Sequence, residues 1–276
     1  MGLLAVTGST GVLGGLVARD LAARGISQRL LVRDPSRAPR LDGAEVVRSD
    51  YGDGELARRS LDGVTTLFMV SAHESADRLE QHASFIDAAA DAGVEQIVYT
   101  SFVGASPDST FTLARDHAAT EQLIEAAIPE HTFLRDNFYL DFLPHMVGED
   151  GVLRGPAGDG RVAAVAREDI ARAAVAVLLD PAAHRDAAYD LTGPEALTMS
   201  EIAATITRVT GREVSFRDET LEEAYASRLK WPAPQWQYDA WVSTYTAIAA
   251  GEHERVSPDV ELLTGRAAVS LADFLS

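Results

Sequence analysis

Thr7-Gly8-Ser9-Thr10-Gly11-Val12-Leu13-Gly14 follows directly on the apolar run Leu3-Leu4-Ala5-Val6 and leads into Leu16, Val17, Leu21 and Ala22. A Gly-x-x-Gly-x-x-Gly turn therefore lies between a first strand and an amphipathic helix. In a turn of this kind Gly8 permits the tight reversal, Gly11 lets backbone approach a pyrophosphate, and Gly14 lets helix and strand pack closely. The helix start then offers free N–H groups and the positive end of its dipole to an anion. Thr7, Gly8, Thr10, Gly11, Val12, Leu13 and Gly14 are the first candidate residues for binding a dinucleotide.

Outward from the turn, strands and helices alternate. Leu3–Thr7, Arg29–Arg33, Ala44–Arg48, Thr66–Val70, Gln96–Thr100 and Thr132–Arg135 read as strands, with helical patterns near 12–24, 54–61, 76–92 and 112–127. Repeated strand–helix units predict an α/β Rossmann fold with a doubly wound parallel sheet. After residue 140 the alternation loosens into a glycine-rich stretch, Gly148 to Gly160. A helix at 167–180, a strand at 188–191, a helix from Ser200 to Gly211 and a strand at 214–217 follow. The last 55 or so residues read as helical and hold all three tryptophans, Trp231, Trp236 and Trp241. The expected division is a cofactor domain over residues 1–140 and a smaller, mostly helical C-terminal substrate-binding lobe over 141–276, interleaved with the end of the sheet.

Composition narrows the chemistry. The 276 residues carry a formal charge of −18, which disfavours nucleic acid and anionic membranes as partners. There is no cysteine, so disulfides and thiolate chemistry are excluded. The seven histidines show no metal-ligand spacing, and no Gly-x-Ser-x-Gly elbow supports hydrolysis. No apolar run is long enough to span a bilayer, and the opening strand lacks a signal-peptide pattern. The expected setting is the cytoplasm.

The second strand ends Val32-Arg33-Asp34-Pro35. An acidic residue at that place binds the 2′-hydroxyl of NAD, whereas an arginine accommodates the 2′-phosphate of NADP. Arg33 thus selects NADP(H), with Asp34 starting a turn. Asp50, with Tyr51 beside it after the third strand, is placed to accept from adenine, and Asp53 to cap the next helix. Ser71 and Ala72 end the fourth strand, where small side chains let the ribose and nicotinamide approach.

These residues, with Asp87-Ala88-Ala89-Ala90-Asp91-Ala92-Gly93-Val94, Val98-Tyr99-Thr100-Ser101, His117 to Glu121, Leu134-Arg135-Asp136-Asn137-Phe138-Tyr139, Ala157-Gly158-Asp159-Gly160 and Asp169-Ile170-Ala171, resemble a known family. The chain is similar to atypical short-chain dehydrogenases/reductases. Among them it resembles the NmrA-like group, and within that its bacterial NAD(P)H-quinone oxidoreductase-like members. The likeness runs from residue 3 to about 192. It implies NADP(H) as cofactor. It puts Asn137 and Phe138 beside the nicotinamide, Tyr139 near the substrate, and Ser101 at the position of the superfamily's serine.

Aligned on Glu121, His117 stands where the superfamily's lysine would be and Leu113 where its tyrosine would be. The usual Tyr-x-x-x-Lys pair is missing, and Ser101, His117 and Tyr139 remain as catalytic candidates, with Glu121 one turn on to orient His117. Reducing a simple ketone makes an alkoxide whose conjugate acid has a pKa of roughly 16 and needs a strong positioned acid. Reducing a quinone makes a phenolate-type anion, with a conjugate-acid pKa of roughly 10. The sequence therefore predicts an NADPH-dependent oxidoreductase passing hydride to a quinone-like or conjugated carbonyl acceptor, walled by Phe138, Tyr139 and the C-terminal tryptophans. The family also contains non-catalytic dinucleotide sensors that bind a partner protein, and Leu113 suits that alternative too. An isoflavone-reductase or epimerase role is weakened by the absent lysine. The helices at 76–92 and 112–127 are the superfamily's usual dimer faces, so the resemblance leaves a homodimer open, while the sequence itself does not give the oligomeric state.

Overall fold

Leu4, Ala5 and Val6 are buried, as a strand covered on both faces requires, and they form the heart of β1 (Leu3–Thr7). The computed structural model describes residues 2–276. From β1 the chain continues through α1 (Val12–Ala23), β2 (Gln28–Val32), β3 (Ala44–Arg48), α2 (Gly54–Ser60), β4 (Val64–Met69), α3 (Arg78–Asp91), β5 (Gln96–Phe102), α4 (Thr112–Ala127) and β6 (Glu130–Asp136). Next come β7 (Val152–Gly155), β8 (Arg161–Val162), α5 (Arg167–Leu179), β9 (Ala187–Leu191), β10 (Leu197–Thr198) and α6 (Met199–Thr210). β11 (Ser215–Asp218), α7 (Leu221–Arg228), α8 (Gln235–Ala249), α9 (Asp259–Thr264) and α10 (Leu271–Phe274) complete it. No helix among the described residues is long and apolar enough to cross a membrane.

Seven strands form one sheet in the order β3-β2-β1-β4-β5-β6-β9. The pairs β1–β2, β1–β4, β2–β3 and β4–β5 are parallel. The order reverses direction between β1 and β4, and the carboxyl ends at such a switch point are where ligands bind in open α/β sheets. This is the doubly wound Rossmann fold.

The chain divides into two units: one made of the chain up to Ser101, Asp116–Arg135 and Ile170–Tyr189, the other of Phe102–Arg115, Asp136–Asp169 and Asp190–Ser276. The first packs α2 and α3 over the sheet through Leu61, Leu67, Met69, Phe85, Ile86 and Tyr99. The second has its own core around Leu143, Leu153, Met199, Ile202, Ile206, Val214 and Ile248. Its helices α6 and α7 both start in capping boxes, Thr198 with Glu201 and Thr220 with Glu223. The glycine-rich stretch after residue 147, expected as loop, contains β7, which pairs in parallel with β11. β8 pairs antiparallel with β10. These strands are only two to four residues long, too short for a side-chain alternation to declare them.

Candidate functional site

In the first unit the turn after β1 has the backbone that an anion cradle requires. Gly8 has φ +64, a region that side chains other than glycine disfavour. A Cβ on Gly14 would lie 2.5 Å from the Gly8 carbonyl atoms, so α1 sits against β1 only because that atom is missing. Gly11 caps α1 without any side-chain hydrogen bond, and the first turn holds no acidic residue. The helix start is thus free for an external anion. Thr10 and Gly11 are exposed, Val12 is half exposed at 48 %, Leu13 is buried, and the buried Ser9 Oγ has no hydrogen-bond partner. An open glycine, an uncapped helix and an orphaned hydroxyl in one turn fit a dinucleotide phosphate.

Arg33 lies exposed immediately past β2, with no carboxylate in ion-pair range among the described residues. A free guanidinium there fits a 2′-phosphate. Asp34 turns inward on its own loop, accepting from Ser36 N at 3.0 Å and Ser36 Oγ at 2.7 Å. Those bonds hold its carboxyl below the usual range. Asp53 caps α2 through Leu56 N at 3.0 Å. Asp50 is half-buried and accepts from Gly52 N at 3.0 Å.

Thr7 and Tyr51 are committed to protein contacts. The Tyr51 hydroxyl donates to the Val70 carbonyl at 2.7 Å and lies 2.8 Å from Thr7 Oγ1, which accepts from Val70 N at 2.8 Å. Its ring stacks on Phe85 at 4.2 Å. Together they brace the ends of β1 and β4.

Beyond β4, Ser71 N donates to Thr100 Oγ1 at 2.9 Å and Ala72 N donates to His82 Nε2 at 2.9 Å. His82 therefore carries its proton on Nδ1, 2.8 Å from Thr120 Oγ1. Burial, with Arg78 adding to it, pushes the imidazole down to about 3. His117 is buried in the same cluster. Its Nε2 lies 2.9 Å from Arg78 Nη2, which can only donate. Its Nδ1 lies 3.0 Å from the Tyr99 hydroxyl. Arg78 also donates to Ser71 Oγ, and the Tyr99 hydroxyl lies 3.4 Å from the same oxygen. Burial first, then the charge of Arg78, holds His117 well below its ordinary value. Burial pushes Tyr99 up to about 12.

Ser101 is fully buried and donates to Glu121 Oε1 at 2.5 Å. Arg135 grips that carboxylate through Nε at 2.9 Å and Nη2 at 2.6 Å. Glu121 therefore orients Ser101, where the sequence pairs it with His117. Neither Ser101 nor His117 faces solvent. Arg78 and Tyr99, which tie His117 to Ser71, are the members of this cluster that the sequence reading misses. A charged residue at the start of a helix and a tyrosine inside a strand carry no signature of their own.

In the second unit Asn137 is fully buried, donating through Nδ2 to the His253 carbonyl at 3.0 Å and accepting from Phe138 N at 2.8 Å. Phe138 packs edge-to-face on Phe102, Phe111 and His253 at centroid distances of 5.0, 5.2 and 5.0 Å. The Tyr139 hydroxyl donates to Asp136 Oδ2 at 2.6 Å, and its ring stacks on Phe142. The Arg167 guanidinium lies over both rings. A separate cleft of about 1120 Å³ is walled by Met146, Val147, Trp231, Trp241 and Tyr245, with Arg154, Arg228 and Lys230 among its polar residues. Arg154 is paired with Asp150 and Arg228 with Glu219. Lys230, the chain's single lysine, has its ammonium 4.1 Å from the Trp231 ring centroid. The sequence groups Phe138 and Tyr139 with the tryptophans in one wall. The structure puts Trp231 and Trp241 in this cleft, and neither Phe138, Tyr139 nor Trp236 lines it.

The NmrA-like family matches residues 2–258. The chain belongs to the NmrA-like family. This NmrA-like chain is 36% identical over 237 residues to quinone oxidoreductase 2 of Escherichia coli (strain K12), covering 83% of the chain and 81% of that protein. It is 30% identical over 277 residues to the NAD(P)H azoreductase of Xenophilus azovorans, with 99% and 96% covered. Among solved structures, an Escherichia coli NADPH-dependent quinone oxidoreductase in complex with NADPH superimposes with a TM-score of 0.89 at 30% identity, over 99% of this NmrA-like chain and 98% of that one.

Proposed function

We propose that the protein is an NADPH-dependent oxidoreductase that reduces a quinone-like or conjugated carbonyl compound. The observation that carries this reading is the turn after β1, with its uncapped helix start and orphaned Ser9 hydroxyl. The unpaired Arg33 past β2 adds the preference for a 2′-phosphate. The relatives act in the same direction: one is named for quinone reduction, one for azo reduction, and the solved structure holds NADPH.

When bound, NADPH supplies the hydride. Gly8 to Gly14 receive the pyrophosphate, Arg33 the 2′-phosphate, Asp50 the adenine, and Ser71 and Ala72 border the nicotinamide half. Thr7 and Tyr51 act as braces for these loops. The Asn137 amide, bonded to the His253 carbonyl, fixes the backbone at Phe138. In this division residues 1–140 serve the cofactor and 141–276 the acceptor, with the cleft of Trp231, Trp241 and Tyr245 as the acceptor's aromatic wall. A flat conjugated ring stacks on such side chains.

The proton inventory selects the acceptor class. With Leu113 and His117 in place of the tyrosine and lysine, neither position of the usual pair supplies a strong positioned acid. His117 is held neutral, Tyr99 is pushed up, and the hydroxyls of Ser101 and Tyr139 are donated to Glu121 and Asp136. The product anion must therefore be stable enough to take its proton from water, which a hydroquinone anion is and a simple alkoxide is not. Binding and orientation supply most of the rate.

Purified protein mixed with NADPH and a panel of quinones and simple ketones, followed by NADPH absorbance against NADH controls, tests the reading. Quinones should turn over with NADPH preferred, and simple ketones should not. Tight NADPH binding with no turnover of any acceptor would defeat the enzymatic reading and leave the sensor.

A further inference from the structure

Arg78 is the first residue of α3 and is 4 % exposed. Buried guanidinium groups are ordinarily held by a carboxylate in direct contact. Asp116 Oδ2, 3.7 Å from Nη1, is the nearest anion paired with it, and its side chain is one-third exposed. The hydrogen bonds of Nη2 go instead to neutral groups, Ser71 Oγ and His117 Nε2, and Nε has no partner. Such an expensive arrangement persists where a charge is needed.

The donor and acceptor count shows what the charge does. Arg78 can only donate, so His117 presents a lone pair at Nε2 and keeps its proton on Nδ1, directed to Tyr99. Ser71 Oγ receives Arg78 and faces the Tyr99 hydroxyl, so its acceptor capacity is used inside the protein. What it retains for a ligand is its own O–H. Ser71 is half-buried and lies just past the carboxyl end of β4, next to the sheet's switch point.

We propose that Arg78 is the positioning residue of this site: a permanent cation that sets Ser71 as a hydrogen-bond donor to the bound cofactor and locks His117 in one neutral tautomer. The inference rests on the dinucleotide-binding part of the reductase reading. It gives this chain a positive charge from α3 in the cluster where the superfamily's lysine would come from α4. Unlike a lysine, the guanidinium neither gives up a proton in the working range nor changes charge with pH.

The groups facing Arg78 are Ser71 and Glu74 from the segment after β4, His82 on α3, Tyr99 on β5, and Asp116 and His117 on α4. Burial holds the two carboxyls above their ordinary values, the two imidazoles are pushed below theirs, and Tyr99 stands at about 12. With Arg78 in place, His117 and Tyr99 should put no inflection into kcat between about pH 7 and 9, since one is held below that range and the other above it.

Arg78→Met, Arg78→Lys and Ser71→Ala test the proposal by three readouts: imidazole ¹⁵N spectra of His117 against pH, NADPH affinity by fluorescence titration, and the pH profile of quinone reduction. In the wild type His117 should show the Nδ1–H tautomer and stay unprotonated at the ordinary imidazole value of about 6.5. Arg78→Met should free the tautomer, raise the His117 pKa towards neutrality and put a matching inflection into kcat. NADPH binding should weaken by on the order of tenfold, the size of one charge-assisted hydrogen bond. Arg78→Lys should restore the flat profile and part of the affinity. Ser71→Ala should reproduce the affinity loss while leaving the His117 spectrum unchanged. A folded Arg78→Met protein with the wild-type tautomer and NADPH affinity would overturn the proposal. So would an unchanged affinity in Ser71→Ala, which decides the matter if Arg78→Met fails to fold. The spectra and titrations need no turnover, so an inactive wild type that binds NADPH would sink the reductase reading alone.

Discussion

The turn after β1 and the cluster around Arg78 stand on the same sheet, and they present polarity by opposite means. The turn uses backbone: N–H groups made available by missing side chains, at Gly8, Gly11 and Gly14. The cluster uses side chains from β5, α3, α4 and the segment after β4, and it works because those side chains exclude water and fix one another. A backbone site tolerates almost no added atoms and is indifferent to pH. A side-chain site tolerates shape changes better and depends on who carries which proton.

The sharpest way to break that comparison is Gly14→Ala. The new Cβ would meet backbone, 2.5 Å from Gly8 C and O and 2.6 Å from Thr7 O, and backbone cannot swing aside. Overpacking of this kind costs about 1–3 kcal/mol, about 2–4 °C of melting temperature per kcal/mol in a chain this size, and NADPH binding should disappear. Thermal melting and fluorescence titration read both. Wild-type affinity in the variant would mean that the turn does not hold the cofactor.

Arg33→Ala comes next. Losing the only charge assigned to the 2′-phosphate should cut the NADPH-to-NADH affinity ratio by about tenfold or more while NADH binding and folding stay as they are. An unchanged ratio would move the selectivity elsewhere.

Tyr51→Phe probes the brace between the two regions. It removes the donor to the Val70 carbonyl, which lies beside Ser71. A loss of about 1 kcal/mol in urea unfolding is expected. NADPH affinity should barely change, and a large drop would make Tyr51 a ligand contact.

The smallest effect concerns protons. His253 is fully buried among Phe102, Phe111 and Phe138, with neither ring nitrogen hydrogen-bonded. Burial lowers it to about 4, as it lowers His82 to about 3. Unfolded histidines titrate near 6.5. Below that pH the unfolded chain binds protons that the folded chain refuses, so stability is complete above about pH 6.5 and declines as pH falls towards 4. His253→Phe should make that decline shallower at little cost at pH 8. A slope identical to wild type in denaturant midpoints across this range would show that His253 is not neutral in the fold.

What was legible in the chain follows the same division. Buried strands declare themselves by continuous apolar runs, so β1, β2, β4 and β5 were found to within about two residues at either end. The turn was legible because its glycines recur every third residue within one short stretch. Asp34 and Asp53 disclosed their turn and cap roles through local spacing. The Arg78 cluster was not legible, because residues 71, 78, 99 and 117 meet only through sheet topology and no interval between them encodes the meeting. For the same reason Ser101 could be placed on its strand but its bond to Glu121 could not be foreseen. The second unit hid β7 because four residues pairing with a strand some sixty positions away leave no periodicity.

Lys230 has a practical consequence. A chain with 24 basic residues, all but one of them arginine, offers amine-directed reagents a single side chain, at the mouth of the Trp231–Trp241 cleft. One fluorophore or isotope-labelled methyl group attached to that side chain reports from the cleft. Protection of the lysine by a candidate acceptor then ranks ligands before any of them is known to be reduced.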